Sequence, residues 1–351
     1  MAELSNKVIN VGILGASGYT GGELVRLLGR HPNVVIRALT AERRAGRTMA
    51  EVFPHLAGLD LPRLVATADA DWGGIDVAFC ALPHGTTQVV VAGLPTHLKV
   101  IDLSADFRFA DIETYAEWYG HPHRAPELQR TAVYGLTEIK RKDIAAARLV
   151  AVPGCYPTGA QLPLIPMIEA GQIEADGIII DAKSGVSGAG REAKEAFLFT
   201  EVSQGIYPYG VANHRHAPEI EQGLSDAAGS SVTVTFTPHL APMNRGLLST
   251  IYVRLANGAS VKDLRGTLNA RYGAEPFVRV VPEGVATATQ NVAGSNLCLI
   301  GVFADRAPGR AIITSAIDNL VKGAAGQAVQ NFNLVSGLDE TTGLAQEPLF
   351  P

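Results

Sequence analysis

The apolar run Lys7-Val8-Ile9-Asn10-Val11-Gly12-Ile13-Leu14 leads straight into Gly15-Ala16-Ser17-Gly18-Tyr19-Thr20-Gly21, then into Glu23-Leu24-Val25-Arg26-Leu27-Leu28. The first piece has the composition of a buried strand. In the last, Leu24, Leu27 and Leu28 fall at i, i+3 and i+4, one face of a helix, and His31-Pro32 marks its end. A strand, a glycine turn and a helix in that order leave few folds open. Glycines let the backbone approach a pyrophosphate, and a helix N-terminus faces its negative charge. The spacing is G-x-x-G-x-x-G, a variant of the commoner G-x-G-x-x-G. The expectation is a doubly wound parallel sheet that binds a dinucleotide, with Gly15, Ser17, Gly18, Tyr19, Thr20 and Gly21 around the phosphates. A tight turn without a ligand is the plain alternative.

Val34–Leu39 reads as the second strand, and its end bears on the cofactor. A site for NAD usually carries Asp or Glu there to bond the ribose 2′-OH. Here the run is Thr40-Ala41-Glu42-Arg43-Arg44. A hydroxyl, Thr40, beside Arg43 and Arg44 suits a 2′-phosphate and favours NADP, while Glu42 keeps NAD open. Two further apolar runs, Val77–Leu82 and Val100–Leu103, end in the turns Pro83-His84-Gly85 and Ser104-Ala105-Asp106-Phe107-Arg108. In an open parallel sheet, ligands gather beyond the carboxyl ends of the strands. That puts Leu82 and Pro83 near the cofactor, and Ser104 and Arg108 near the substrate. Arg108 has the bidentate geometry of an anion clamp; loop structure is the alternative for each.

A lone thiol then sits at a strand-to-helix turn, in Ala151-Val152-Pro153-Gly154-Cys155-Tyr156-Pro157-Thr158-Gly159. Pro153-Gly154 stops the strand Leu149–Val152, and a helix opens toward Leu162, Leu164 and Ile165. At a helix N-terminus the dipole favours the thiolate, and the same N–H groups can hold an oxyanion. The alternative is a small buried hydrophobe in a turn. Cys80, inside an apolar run, reads as core. The loop Ser184-Gly185-Val186-Ser187-Gly188-Ala189-Gly190-Arg191 follows a strand and could close over phosphate or nicotinamide, or merely connect. Asn213-His214-Arg215-His216-Ala217-Pro218-Glu219 gathers two histidines, the residue type best suited to moving a proton near neutral pH. No third ligand recurs at metal spacing, so no metal is expected. His121 and His123 read as loop residues. From Ser231 the chain alternates strand and turn, which implies a mainly antiparallel second sheet. A last helix is expected from Ala316 to about Asn331.

At 351 residues, two domains are expected. Hydrophobic content of 47% with 18% charged residues describes a packed globule. A net charge of −5 gives no electrostatic case for nucleic acid or an anionic membrane. No apolar run approaches the ~18 residues of a membrane span, and the first residues lack the blocks of a signal peptide. Three cysteines, Cys80, Cys155 and Cys298, with no paired spacing, fit reduced thiols in a cytoplasmic protein.

Taken in order, these stretches resemble the N-acetyl-γ-glutamyl-phosphate reductases, the longer size class of a family related to aspartate-semialdehyde dehydrogenase. The resemblance runs along nearly the whole chain. It rests on Gly15–Glu23, Leu82-Pro83-His84-Gly85, Asp102–Arg108, Val152–Thr158, Ser184–Arg191, His214–Glu219 and Asp318–Ala328. It implies a Rossmann-type doubly wound parallel sheet plus a second α+β domain, in an α/β protein. The implied division is 1–153 for the dinucleotide, 154–318 for catalysis and dimerisation, and 319–351 as a helix and tail returning to the first part. It implies NADPH-dependent reduction of an acyl phosphate in arginine biosynthesis, through a thioester on Cys155. It further implies an acid/base in the H-R-H block, assigned to His216 with His214 as fallback, His214 also being a substrate contact. Ser184, Gly185, Ser187, Gly188 and Asn319 are then expected near the nicotinamide. The chain is expected as a homo-oligomer, dimer or tetramer. Reduction of N-acetyl-aminoadipyl phosphate or aspartyl phosphate is the alternative, because one methylene is worth only ~1–3 kcal/mol of discrimination.

Overall fold

The computed structural model describes residues 8–350. The chain forms two compact units: residues up to Pro153 with Ala324–Ala345, and Gly154–Gly323 with the residues from Gln346 on.

The first unit is built on seven strands, β1 (Ile9–Leu14), β2 (Val34–Thr40), β3 (Leu64–Val65), β4 (Val77–Cys80), β5 (Lys99–Asp102), β6 (Ala132–Tyr134) and β7 (Leu149–Ala151). They lie in the order β3-β2-β1-β4-β5-β7-β6, all parallel. Strands buried on both faces carry near-continuous apolar runs, and Val77, Ala78, Phe79 and Cys80 are all within the core. The strand order reverses at β1, between β2 and β4. In such sheets the crevice at the reversal, outside the carboxyl ends, is where a nucleotide sits. The helix Gly326–Ser336 packs on β5 and on the Thr137–Ala146 helix. Its buried amides have defined tasks: Asn331 Nδ2 donates to Gly135 O (2.9 Å) and Asn331 Oδ1 accepts from the Thr137 hydroxyl (2.7 Å).

The second unit holds β8 (Ile178–Gly185), β9 (Tyr207–Pro208), β10 (Val234–Ala241), β11 (Leu247–Arg254), β12 (Val278–Val280), β13 (Cys298–Ala304) and β14 (Arg310–Ile317). Their order is β12-β13-β14-β11-β8-β10-β9, with β10·β8 and β12·β13 parallel and the other four pairings antiparallel. Along β11 the side chains alternate. Leu247, Ser249, Ile251 and Val253 are buried, while Leu248, Thr250 and Tyr252 are half-buried. The buried face meets the helix Cys155–Glu169, which is buried on nearly every side, with Leu162, Leu164 and Met167 fully enclosed. A helix buried all round has no polar stripe to present.

The last helix differs from the expectation. Ala316 and Ile317 finish β14, paired with Leu248 and Leu247. A π-helical turn, Val321–Ala325, follows before the helix proper begins at Gly326. Among the described residues, no helix is long and apolar enough to cross a membrane.

Candidate active site

In the first unit the glycine turn has the shape its sequence suggests. Gly15 has φ +77°, and a Cβ there would come within 2.8 Å of the Ala81 carbonyl carbon. Only glycine takes this conformation cheaply at such close approach. Gly18 N donates to Gly15 O (3.2 Å) and caps the Tyr19–Leu28 helix, and a Cβ on Gly21 would press on Ala16 Cα at 2.7 Å. The cradle thus offers backbone, not side chains, to whatever lies above it, as a pyrophosphate requires. Leu82 and Pro83 follow β4, with Leu82 N 3.4 Å from where a Cβ on Gly15 would stand, while Ser17 and Thr20 are half-buried and Tyr19 is exposed. The residues present therefore fit a dinucleotide.

At the tip of β2, Thr40 is fully buried and its oxygen accepts the Thr67 hydroxyl at 3.2 Å. The Glu42 carboxylate accepts from Thr67 N at 3.0 Å, and its hydrogen bonds from Thr67 hold its pKa below the usual range. Glu42 is therefore engaged, while Arg43 and Arg44 stand exposed on the Glu42–Arg44 turn.

Two residues expected at the substrate are buried and hydrogen-bonded within the first unit. The Ser104 hydroxyl donates to Asp102 Oδ2 (2.8 Å) and is almost wholly buried. Arg108 is buried too, with Nε donating to Val152 O (2.8 Å) and Nη2 to Leu103 O (3.0 Å). Arg108 straps the turn after β5 to the end of the β7 segment. A polar side chain at a strand end is as useful for closing backbone as for meeting a ligand. Asp106 does similar work, accepting from the N–H groups of Gly85 and Thr87 and from the Tyr115 hydroxyl. His123 is a buried member of this cluster, its Nε2 2.9 Å from Asp106 O.

In the second unit Cys155 is the first residue of its helix, with Gly154 as N-cap in an extended conformation (φ −64°, ψ 157°). Thr158 N makes the first intrahelical bond, to Gly154 O, and Pro157 has no N–H to offer. The thiol is half-buried. Gly323, in the turn leading out of β14, packs on Cys155: a Cβ there would be 2.7 Å from the cysteine Cβ.

The two histidines occupy different settings. His216 opens the helix His216–Ala228, and its ring lies on the backbone of Gly154. A Cβ at 154 would be 2.9 Å from both Cδ2 and Cε1 of that ring. His214 stands behind it. Its Nδ1 accepts from His216 N at 3.1 Å, which leaves the proton of the neutral ring on Nε2. Tyr156, Tyr209 and Phe236 box it edge-on, with centroids 5.7, 5.3 and 5.5 Å away. Burial, helped by nearby Arg215, pushes its pKa down to about 4. Tyr209 donates to the Tyr156 hydroxyl (3.1 Å), and burial pushes both phenols up. The sequence reading assigned no role to Glu219, whose Oε1 accepts from Gly154 N at 2.8 Å.

Within this unit the glycine–serine loop is held by hydrogen bonds and close glycine contacts. Asn319 Nδ2 donates to Ser187 Oγ (3.0 Å), and its Oδ1 accepts from Gly246 N (2.9 Å). Gly188 lies against Ser184 Oγ and Asn319, while Gly185 packs on the Asn244-Arg245 backbone.

A nucleotide-type parallel sheet joined to a mixed sheet, with a thiol at a helix N-terminus, defines a semialdehyde dehydrogenase. Residues 10–147 match the family model described as the semialdehyde dehydrogenase NAD binding domain, and 155–319 match its dimerisation domain. Aspartate-semialdehyde dehydrogenase II from Vibrio cholerae superposes with a TM-score of 0.70 at 18% identity, covering 94% of this chain and 99% of that one. The Candida albicans enzyme, solved with NADP, gives 0.65 at 17%, covering 94% and 99%. N-acetyl-gamma-glutamyl-phosphate reductase from Rhodospirillum rubrum is 64% identical over 98% of this chain and 99% of its own length. A relative from Arabidopsis thaliana, named as the probable chloroplastic form, is 61% identical over 98% and 86%. The chain belongs to the N-acetyl-γ-glutamyl-phosphate reductase family of oxidoreductases.

Proposed function

We propose that this chain reduces N-acetyl-γ-glutamyl phosphate to N-acetylglutamate 5-semialdehyde, releasing phosphate, with NADPH as reductant. The observation that carries the site assignment is the contact of His216 with Gly154, one residue from the thiol.

Cys155 Sγ attacks the acyl carbon. The C–O bond to phosphate breaks, and a thioester forms. The amides of Cys155 and Tyr156, ahead of the first intrahelical bond, are the donors for the oxyanion that develops on the carbonyl oxygen. When bound, the reduced nicotinamide supplies the hydride that takes this thioester to the aldehyde level. His216 moves the proton of the resulting thiohemiacetal as the C–S bond breaks and the thiolate leaves. His214 fixes His216 rather than titrating itself, because its Nδ1 is committed to the His216 amide. Arg43 and Arg44 take the 2′-phosphate, since Glu42 is bound to Thr67. Ser184, Gly185, Ser187, Gly188 and Asn319 serve the nicotinamide side.

In the same reading residues 1–153 serve the dinucleotide, 154–318 the chemistry and dimerisation, and the segment 319–351 returns to the first part through Ala324–Ala345. The enzyme acts as a homo-oligomer in the cytoplasm, a compartment that suits three free thiols. The test runs the reaction in reverse: phosphate-dependent reduction of NADP with N-acetylglutamate semialdehyde. Higher kcat/KM with aspartate semialdehyde or the one-carbon-longer N-acetyl-aminoadipate semialdehyde would move the chain to the related acyl phosphate.

A further inference from the structure

Glu219 lies three residues beyond His216, on the first turn of the same helix, and is buried to about 1% exposure. A carboxylate so enclosed needs a strong partner. Its Oε1 takes the N–H of Gly154, the residue whose backbone the His216 ring rests on. Its own carbonyl accepts from Gln161 Nε2 (2.7 Å), a buried amide two turns into the cysteine helix. Gln161 fits because the facing residue is Gly223: a Cβ there would be 2.8 Å from the Gln161 amide carbon. The two helices are therefore joined at two levels, and one of those joints is the residue next to the nucleophile.

We propose that Glu219 is a positioning residue, which sets the register of His216 against the Cys155 turn through the Gly154 amide. This inference rests on the assignment of Cys155 and His216 given above. The fold brings the two residues from separate helices, so their spacing needs a bond that reports the place of one helix to the other. A hydrogen bond from a backbone N–H to a buried carboxylate oxygen does this, because it is directional and its length is fixed. The acceptor atom and its reach matter; its charge is secondary.

The test is a three-variant series on the whole enzyme. Glu219→Gln keeps the acceptor at the same reach and is expected to hold kcat within about threefold of wild type, because only the charge assistance is lost. Glu219→Ala, and Glu219→Asp with its carboxylate one methylene short, are expected to lose kcat by ~10–10²-fold, the scale of a small misplacement. KM for the semialdehyde and binding of NADP are expected to stay within twofold in all three. If Ala does not fold, the Gln–Asp pair decides the matter alone. An active Asp variant with an inactive Gln variant would overturn the proposal in favour of charge. Equal kcat in all three would overturn it in favour of a purely structural residue. Failure of the Cys155 and His216 assignment shows separately, as activity retained in Cys155→Ser or in His216→Asn.

Discussion

Gly154→Ala tests the place of the proposed acid/base His216 beside the proposed nucleophile while leaving both side chains in the sequence. The backbone at 154 has φ −64° and ψ 157°, which any residue adopts, so the substitution brings no conformational strain. The added methyl meets the His216 ring, at 2.9 Å from two of its carbons and closer still to Nε2, where ordinary contact begins at 3.4 Å. The ring must retreat by something on the order of 1 Å, and misplacement of that size costs ~10²-fold in rate. In free energy this is about 2.7 kcal/mol of lost transition-state stabilisation, at 1.36 kcal/mol per decade. The assay is steady-state reduction of NADP with semialdehyde and phosphate, beside NADP binding by fluorescence and a thermal melt. The expected result is kcat down by two decades, with NADP affinity unchanged. A kcat within threefold of wild type would refute the reasoning, for it would mean that His216 does its work from elsewhere.

Cys155→Ser is expected to abolish reduction while NADP still binds, because the hydroxyl is a far weaker nucleophile than the thiolate; turnover near wild type would exclude a thioester. His216→Asn is expected to lower kcat ~10²-fold or more, and His214→Asn less, so a larger loss at His214 reverses the assignment. Folded His214 has its pKa pushed down to about 4, below the 6.5 of a free histidine, so the unfolded chain binds its proton first. Its contribution to stability is therefore complete above about pH 6.5 and is lost as pH falls toward 4, a slope that urea titrations should find reduced in His214→Asn. Arg43→Ala with Arg44→Ala is expected to raise KM for NADP ~10-fold or more and leave KM for NAD unchanged, since each charge-assisted bond to phosphate is worth roughly 1.5–3 kcal/mol; parallel changes would show that the pair does not meet the 2′-phosphate.

What the sequence disclosed follows the range of the forces involved. Gly15–Gly21 and Cys155 were readable because a strand stop, a turn and a helix start lie within a few residues of one another, and those transitions are local. Ser104 and Arg108 were harder to read for the opposite reason. Their polar heads sit where ligands gather, but the partners that claim them are the Asp102 carboxylate and the Leu103 and Val152 carbonyls. One of those carbonyls is 44 residues distant. Periodicity carries no mark of such a bond. Ala316-Ile317 is apolar and suits helix or strand alike; pairing with β11 decides it. Glu219 was visible only as one letter of a motif, for its partner at Gly154 is 65 residues away.

The separation of the two histidines shows how one dipeptide step can divide chemistry from support. His214 and His216 share a loop and the same side chain, yet the bond from the His216 amide to His214 Nδ1 spends the lone pair that a base would need. The aromatic box of Tyr156, Tyr209 and Phe236 removes the water that a charged ring would need. His216 opens its helix instead, with its ring against the backbone of Gly154, the residue before Cys155. The proposed proton transfer therefore falls to the histidine whose neighbour lacks a side chain. Enlarging residue 154 should then injure the reaction more than replacing Tyr209 or Phe236, whose rings meet His214, while Tyr156 packs on both histidines.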